Sequence, residues 1–173
     1  MKTLKHFIPL LAAAMTIVGV SSCTKDNEET TRFSVRMTDN PYNATAVNVE
    51  IKEVKANYTN DSTKWVSFMT HAGVYNLLEL QNGVDTLLAE AVIPTGTIKE
   101  IRFVLGTDNS IVIGGVTYPL TIPSGSESGL KIKLNKKLNA SIDSVLIDFD
   151  AGLSIHLEGT GDYKLKPVLK VKP

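Results

Sequence analysis

The sequence predicts an all-β fold, an antiparallel β-sandwich with the Greek-key connections of immunoglobulin- or transthyretin-like domains. Three observations lead to this prediction. Apolar and polar residues alternate with a period of two, turn residues recur at short intervals, and no helical stretch is long enough to connect parallel strands. The 173 residues are enough for one domain of ordinary size. We therefore expect a single sandwich domain over residues 32–173, behind an N-terminal leader.

The alternation is clearest in residues 130–134. Leu130, Ile132 and Leu134 are separated by Lys131 and Lys133, which gives a strand with one apolar and one charged face. The same period predicts strands at residues 32–38, 46–58, 64–69, 73–77, 87–92, 97–105, 110–113, 116–121, 129–135, 142–150 and 163–171.

Local signals refine the strand prediction. The apolar phase changes at Lys52–Glu53, which predicts a β-bulge, and Gly114–Gly115 predicts a two-residue hairpin. Asn82–Gly83 interrupts a helix-like spacing of leucines and limits it to one short turn. Pro167 has no N–H to donate and is surrounded by lysines, so the strand at 163–171 is predicted to lie at a sheet edge.

The N-terminus has the composition of an export signal. Lys2 and Lys5 precede the run Phe7–Val20, which has 14 mostly apolar residues. As a helix this run would span roughly 21 Å, which is short of the ~30 Å hydrocarbon core of a bilayer. Residues 1–22 are therefore predicted to be a cleaved signal peptide rather than a transmembrane helix.

The single cysteine of the chain, Cys23, stands where the signal peptide would end. The run Val20–Cys23 resembles the lipobox of bacterial lipoproteins, in which the cysteine is diacylated and becomes the first mature residue. Because two acyl chains anchor a protein stably, Cys23 is predicted to attach the domain to a membrane. The alternative is an ordinary secretory signal followed by an incidental cysteine.

Residues 23–31 are predicted to form an acidic tether. Lys25, Asp26 and the pair Glu28–Glu29 resemble the export signal that sends lipoproteins of one Gram-negative group to the outer face of the outer membrane. Removal of residues 1–22 leaves 16 basic and 18 acidic residues, so the mature chain has a net charge of −2. We expect a lipid-anchored outer-membrane protein exposed at the cell surface. A periplasm-facing domain on a generic solvated tether is the alternative.

Charge and motifs exclude several classes of function. The whole chain has a formal net charge of zero, so it lacks the field that would attract a nucleic-acid backbone. No glycine-rich phosphate loop is present, and we expect no nucleotide. One cysteine excludes a multi-thiolate zinc site. The stretch closest to a serine-hydrolase elbow, Gly125–Gly129, has Glu127 in place of the serine, so we expect no enzyme.

Acidic residues suggest one metal hypothesis. Asp148 and Asp150 lie on the same face of a predicted strand, and Asp39 follows another strand. Neighbouring carboxylates repel one another, and calcium relieves this repulsion through hard oxygen ligands. Solvated side chains are the alternative, with Asp150 capping the turn at Ala151–Gly152. No other cofactor is expected.

Two further hypotheses concern carbohydrate. Trp65 could stack on a sugar ring, although packing in the core is the alternative for this residue. Ser62, Thr86 and Ser144 each follow an aspartate and precede a threonine or an apolar residue, a pattern that resembles the O-glycosylation acceptor of some Gram-negative bacteria. Patterns of three residues also arise by chance.

Several stretches spread over residues 33–171 resemble one family of bacterial domains. They include Met37–Asp39, Gly73–Leu78, Pro94–Gly96, Tyr118–Leu120 and Asp148–Ala151. The family is domain of unknown function 4382. The resemblance implies a β-sandwich carried on a lipoprotein or secreted chain, and it transfers no catalytic residue to this sequence.

The expected function is that of a membrane-anchored bacterial lipoprotein whose sandwich is a non-enzymatic binding or adhesive module. The partner would be a surface protein or a glycan. The alternative is a glycan-binding accessory lipoprotein of a nutrient-uptake system.

The anchor prediction is tested by Cys23→Ser. The thiol is the acyl acceptor, so the variant should incorporate no labelled fatty acid and should move from the membrane to the soluble fraction. Metabolic labelling and cell fractionation measure both effects. Unchanged labelling would contradict the anchor.

Overall fold

The computed structural model describes residues 29–40, 42–58, 65–123, 130–159 and 161–173, which form two mixed β-sheets around one apolar core. No helix in these ranges is long and apolar enough to cross a membrane. The elements are β1 (Thr30–Thr38), β2 (Ala46–Asn57), β3 (Val66–Ser67), β4 (Met69–Thr70), β5 (Gly73–Asn76), a 3₁₀ turn (Leu77–Leu80), β6 (Thr86–Pro94), β7 (Thr97–Leu105), β8 (Ser110–Ile113), β9 (Val116–Thr121), β10 (Leu130–Lys137), β11 (Ser141–Phe149), α1 (Ala151–Ser154), β12 (Ile155–Leu157), β13 (Tyr163–Leu165) and β14 (Leu169–Lys172).

The first sheet has the strand order β14-β11-β1-β6-β4. Its middle strand, β1, runs parallel to β11 and antiparallel to β6. A register shift between Val35 and Arg36 marks a bulge in the β1–β6 ladder. The chain therefore enters the sheet at its centre, with strands on both sides.

The second sheet has the order β10-β7-β2-β8-β9-β13-β12. β7 and β8 pair with successive parts of one edge of β2, and β3 and β5 pair with its opposite edge. β2 is the longest strand, with 12 residues, and it contacts four neighbours along its length. Both sheets contribute to the core between them. Its largest fully buried side chains include Phe33, Phe103, Phe149, Met37, Ile51 and Ile101.

The all-β sandwich prediction is confirmed, but the sheets are mixed rather than purely antiparallel. β1 pairs with β11 in parallel, and β13 pairs with β9 in parallel. Parallel neighbours need a crossover segment, which is usually but not always a helix. In both pairs the strands are far enough apart in sequence for intervening strands to make the crossover.

Three local predictions are confirmed. The β2–β7 ladder shifts register between Ile51 and Glu53, where the bulge was expected. Gly114 and Gly115 have φ of 57° and 79°, which is the left-handed geometry that a two-residue hairpin between β8 and β9 requires. The leucine-rich stretch forms only the 3₁₀ turn, which ends before Asn82–Gly83.

The prediction of one strand over residues 163–171 is wrong. The chain forms β13 in the second sheet and then β14 at the edge of the first sheet, with Pro167 in the crossing between them. Ser154 holds this crossing, because its carbonyl accepts from Lys166 N at 2.8 Å and its Oγ accepts from Val168 N at 2.8 Å. The edge position is correct for β14. The three-residue strand β12 was not predicted.

Candidate functional site

The predicted acidic residues do come together. Asp39 follows β1, and Asp148 lies near the end of β11 next to Thr38 in the parallel register. Asp150 follows β11 and caps α1, since its Oδ1 accepts from Leu153 N at 3.0 Å. All three carboxyls are buried or nearly so, with exposed fractions of 1%, 4% and 6%. The acids form one cluster at the end of the first sheet where β1 and β11 terminate.

The chain itself supplies polar partners to this acidic cluster. Asn40 Nδ2 donates to Asp148 Oδ2 at 2.7 Å, and Lys170 Nζ lies 2.9 Å from Asp150 Oδ2. Asp39 Oδ1 accepts from Ala151 N at 2.9 Å. In the described ranges no group of three or more acidic, histidine or cysteine side chains could hold a metal ion. The geometry therefore lends no support to the calcium hypothesis.

The charge states within the cluster differ. Burial raises the pKa of Asp39 to about 6 against the hydrogen bonds from Ala151 and Gln81, and the nearby Asp148 adds to the rise. Burial also favours a raised pKa at Asp150. The bonds from Lys170 and Leu153 outweigh it, so the pKa of Asp150 lies below its usual range. Asp148 Oδ1 is buried and has no hydrogen-bond partner among the described residues.

Trp65 is half-buried and does not belong to the core cluster. The guanidinium carbon of Arg102 lies 4.2 Å from the centre of its ring, and Lys131 Nζ lies 5.9 Å from it. Both distances are within the range of cation–π attraction. The indole is therefore a surface group packed against cations.

Among the proposed modification sites, Cys23 and Ser62 lie outside the described residues. Thr86 begins β6 and is half-buried, whereas Ser144 is exposed in the middle of β11. The aspartate before Ser144 is bound to the backbone, since Asp143 Oδ2 accepts from Asn139 N at 2.8 Å. O-glycosylation of these residues stays a prediction.

An exposed apolar patch lies on the face of the first sheet that is turned away from the core. Ile142, Arg32 and Val92 stand side by side on β11, β1 and β6. Met69 on β4 is opposite Glu90, two residues along β6 from Val92. Ile142, Val92 and Met69 are 73%, 68% and 65% exposed. We call these three residues around Arg32 the outer patch.

The other half of the same face is covered by the chain. Thr38 Oγ1 lies 2.8 Å from the carbonyl oxygen of Leu80 and 2.7 Å from that of Val84. Arg36 forms an ion pair with Asp85 in the same segment. The segment after the 3₁₀ turn therefore covers the Thr38 end of the sheet and leaves the outer patch uncovered.

Two cavities border β6 beside the outer patch. The outer cavity, of about 370 Å³, is lined by Arg32, Met69 and Glu90–Val92. The inner cavity, of about 430 Å³, is lined by Tyr58, Val66 and Val92–Thr97. Val92 lines both cavities. Volumes of this size suit individual side chains or small ligands.

No sequence motif marks Arg32, Met69 or Val92 as surface residues. The run Leu87–Ile93 is apolar at nearly every position, so it has no alternation to show which residues face solvent. A strand with one face in solvent needs apolar residues on its other face only. An almost continuous apolar run therefore indicates either a strand buried on both faces or an exposed apolar surface.

A family model described as a domain of unknown function, DUF4382, matches residues 30–167. The chain belongs to this family. The match covers both sheets up to the crossing before β14, including the outer patch and the acidic cluster. No curated protein and no solved structure matches the chain. The immunoglobulin or transthyretin subtype of this DUF4382 domain therefore stays a prediction.

The raised pKa of Asp39 predicts how the stability of the DUF4382 domain depends on pH. A folded-state pKa of about 6 against an ordinary value of 3.8 favours the folded state when the carboxyl is protonated. This contribution is fully present below about pH 4 and is lost as pH rises through about 6. Asp39→Asn should therefore gain stability relative to the wild type between about pH 4 and 7, by up to about 3 kcal/mol. Urea unfolding at several pH values measures the difference.

Asp143→Asn is the matched control. Burial of Asp143 favours a raised pKa, but the bonds from Asn139 and Lys136 outweigh it and hold its pKa below the usual range. Its stabilisation is present at neutral pH and is lost only in acid, which is the opposite sign. A constant difference between Asp39→Asn and the wild type over this pH range would contradict the assignment.

Proposed function

We propose that this protein is a lipid-anchored, non-enzymatic binding or adhesive module on the outer membrane, exposed at the cell surface. The observation that supports binding is the outer patch, because three large apolar side chains on β11, β6 and β4, each about two-thirds exposed or more, lie around Arg32 on one face of the first sheet. Clusters of large exposed apolar side chains with polar neighbours mark interaction sites on protein surfaces. The leader, Cys23 and the acidic tether support the anchor.

The position of Glu29, the first described residue, is compatible with a short anchor. Thr95 N donates to Glu29 O at 2.7 Å, so Glu29 lies at the end of β6 that borders the inner cavity. Glu29 follows Cys23 by six positions, a stretch that spans at most ~20 Å when fully extended. The outer patch would then lie close to the membrane, where a partner held in the same membrane could reach it.

The binding role is tested by photo-crosslinking in intact cells. A photoreactive phenylalanine analogue in place of Val92 should give discrete adducts, because this position is central in the outer patch. The same analogue in place of Leu157, which is 63% exposed on β12, should give none of these adducts. Equal adduct patterns at both positions, or no adduct at Val92, would contradict a binding surface there.

A glycan-binding accessory lipoprotein is the second candidate, and the position of Trp65 favours it. The ring lies outside the core and is packed against Arg102, so it is held rigidly at the surface. Rigid surface aromatics are suited to stacking on sugar rings.

The glycan role predicts a loss of binding in Trp65→Ala. Removal of the ring should weaken glycan-array binding roughly tenfold, while Trp65→Phe should keep most of it because an aromatic face remains. The absence of glycan binding by the wild type, or equal binding by all three proteins, would contradict this candidate.

A further inference from the structure

One edge of β6 changes from paired to unpaired along its length. On the side away from β1, β4 pairs only with Ala89 and Glu90. The residues before Met69 leave this sheet, since Val66 and Ser67 of β3 pair with β2 in the second sheet. In the described part of the chain, no strand pairs with Ala91–Pro94 on this side. We call it the free edge.

The register shows which backbone groups lie on the free edge. Thr95 N donates to Glu29 O, so these two opposite residues are a hydrogen-bonded pair. Hydrogen-bonded and non-hydrogen-bonded pairs alternate in an antiparallel ladder, which makes Arg32 and Val92 a non-hydrogen-bonded pair. The N–H and C=O of Val92 therefore point away from β1.

The other side of β6 gives the same result. His71 N donates to Leu88 O at 2.8 Å, so even-numbered residues of β6 direct their backbone groups toward β4. The free edge thus presents the N–H and C=O of Val92 and the C=O of Pro94, which has no N–H. These groups continue the ladder that β4 begins, at the spacing of a polypeptide strand.

The two cavities lie on either side of this edge. Successive side chains of a strand point to opposite faces of a sheet. A strand added beside Val92 would direct one side chain toward the outer cavity, near Arg32 and Met69, and the next toward the inner cavity. Arg32 has no ion pair with a described residue, so it can meet an acidic group of a ligand.

One residue that lines the inner cavity, Tyr58, has a polar group without a partner among the described residues. Tyr58 Oη is buried and makes no hydrogen bond with a described residue, and burial raises the pKa of this phenol. The other lining residues include Val66, Ile93 and Pro94. The lining is mostly apolar, so the cavity suits an apolar side chain.

We propose that the free edge of β6 binds an extended segment of a partner polypeptide, which joins the first sheet as a strand in line with β4. This proposal rests on the proposed function as a binding module and names the chemistry of the partner. Backbone hydrogen bonds to Val92 and Pro94 supply affinity, and the two cavities select alternate side chains. The ladder that β4 already forms on this edge shows that the geometry accepts a strand.

The first test is amide hydrogen exchange on the full lipidated protein in detergent micelles. Without a ligand, the Val92 amide should exchange at least about tenfold faster than those of Ala91 and Ile93, which donate to β1. The probe is a display library of linear random peptides of 12 residues. A selected peptide at saturation should slow exchange at Val92 by about tenfold or more and leave its two neighbours nearly unchanged.

The second test uses variants of the edge and the inner cavity. Val92→Pro removes the N–H on the free edge without removing a bond to β1, and it should weaken peptide binding about tenfold. Val92→Thr retains the N–H and should retain the binding. Gly96→Leu should also weaken binding, because Gly96 lines the inner cavity and a Cβ there meets nothing within 4 Å, which leaves room for the added side chain to take up cavity space. Gly73→Leu has equal space and lies on β5, away from the edge. It should bind as the wild type does.

Each other outcome overturns the proposal. A Val92 amide protected in the ligand-free monomer would mean that another part of this chain covers the edge. Protection that rises with protein concentration would identify a second copy as the occupant. Failure to select any peptide, or peptides whose affinity is unchanged in Val92→Pro and Gly96→Leu, would exclude strand addition here. The crosslinking result at Val92 is independent of these outcomes, so the binding module can stand if strand addition fails.

Discussion

The pairing of β1 on both of its sides is the constraint on which the rest of the fold depends. Phe33, Val35 and Met37 on this strand are fully buried, so its backbone must find partners in the sheet. The parallel register with β11 brings Asp148 beside Thr38 and so assembles the acidic cluster at one end. The antiparallel register with β6 fixes the opposite end, where Glu29 pairs with Thr95 beside the inner cavity.

Most strands could be predicted from the sequence, because alternation and turn chemistry are local properties. The Gly114–Gly115 hairpin and the bulge near Glu53 are of this kind. The sheet that a strand joins is not local. Nothing in residues 163–171 indicates that the chain changes sheets near Pro167. That change depends on the hydrogen bonds to Ser154 and on the edge of β11 that β14 pairs with. The parallel β1–β11 pair was missed for the same reason.

The candidate sites divide in the same way. The meeting of Asp39 with Asp148 and Asp150 followed from their positions at strand ends. The partners that compensate their charge could not be foreseen, because Lys170 reaches Asp150 from a strand in a different part of the sequence. The free edge was invisible to pattern analysis, since it results from the departure of the chain toward the second sheet before Met69. Whether a strand edge is paired depends on the path of the rest of the chain, and the residues of the strand itself do not show that path.

The position of β1, which begins just after the Glu29–Thr95 hydrogen bond and is paired on both sides, has a mechanical consequence. A pull on a lipid anchor at Cys23 would reach the domain at Glu29, and its component along β1 would act on the whole strand. This strand has eight residue pairs with β11 and eight with β6, and a force along the axis stretches the bonds of both ladders together. Ladders stretched in this direction share the force, whereas a force across the strand would open one bond at a time. A partner held at the neighbouring β6 would transmit tension through β1 to the membrane, with the most extensively paired strand of the first sheet in between.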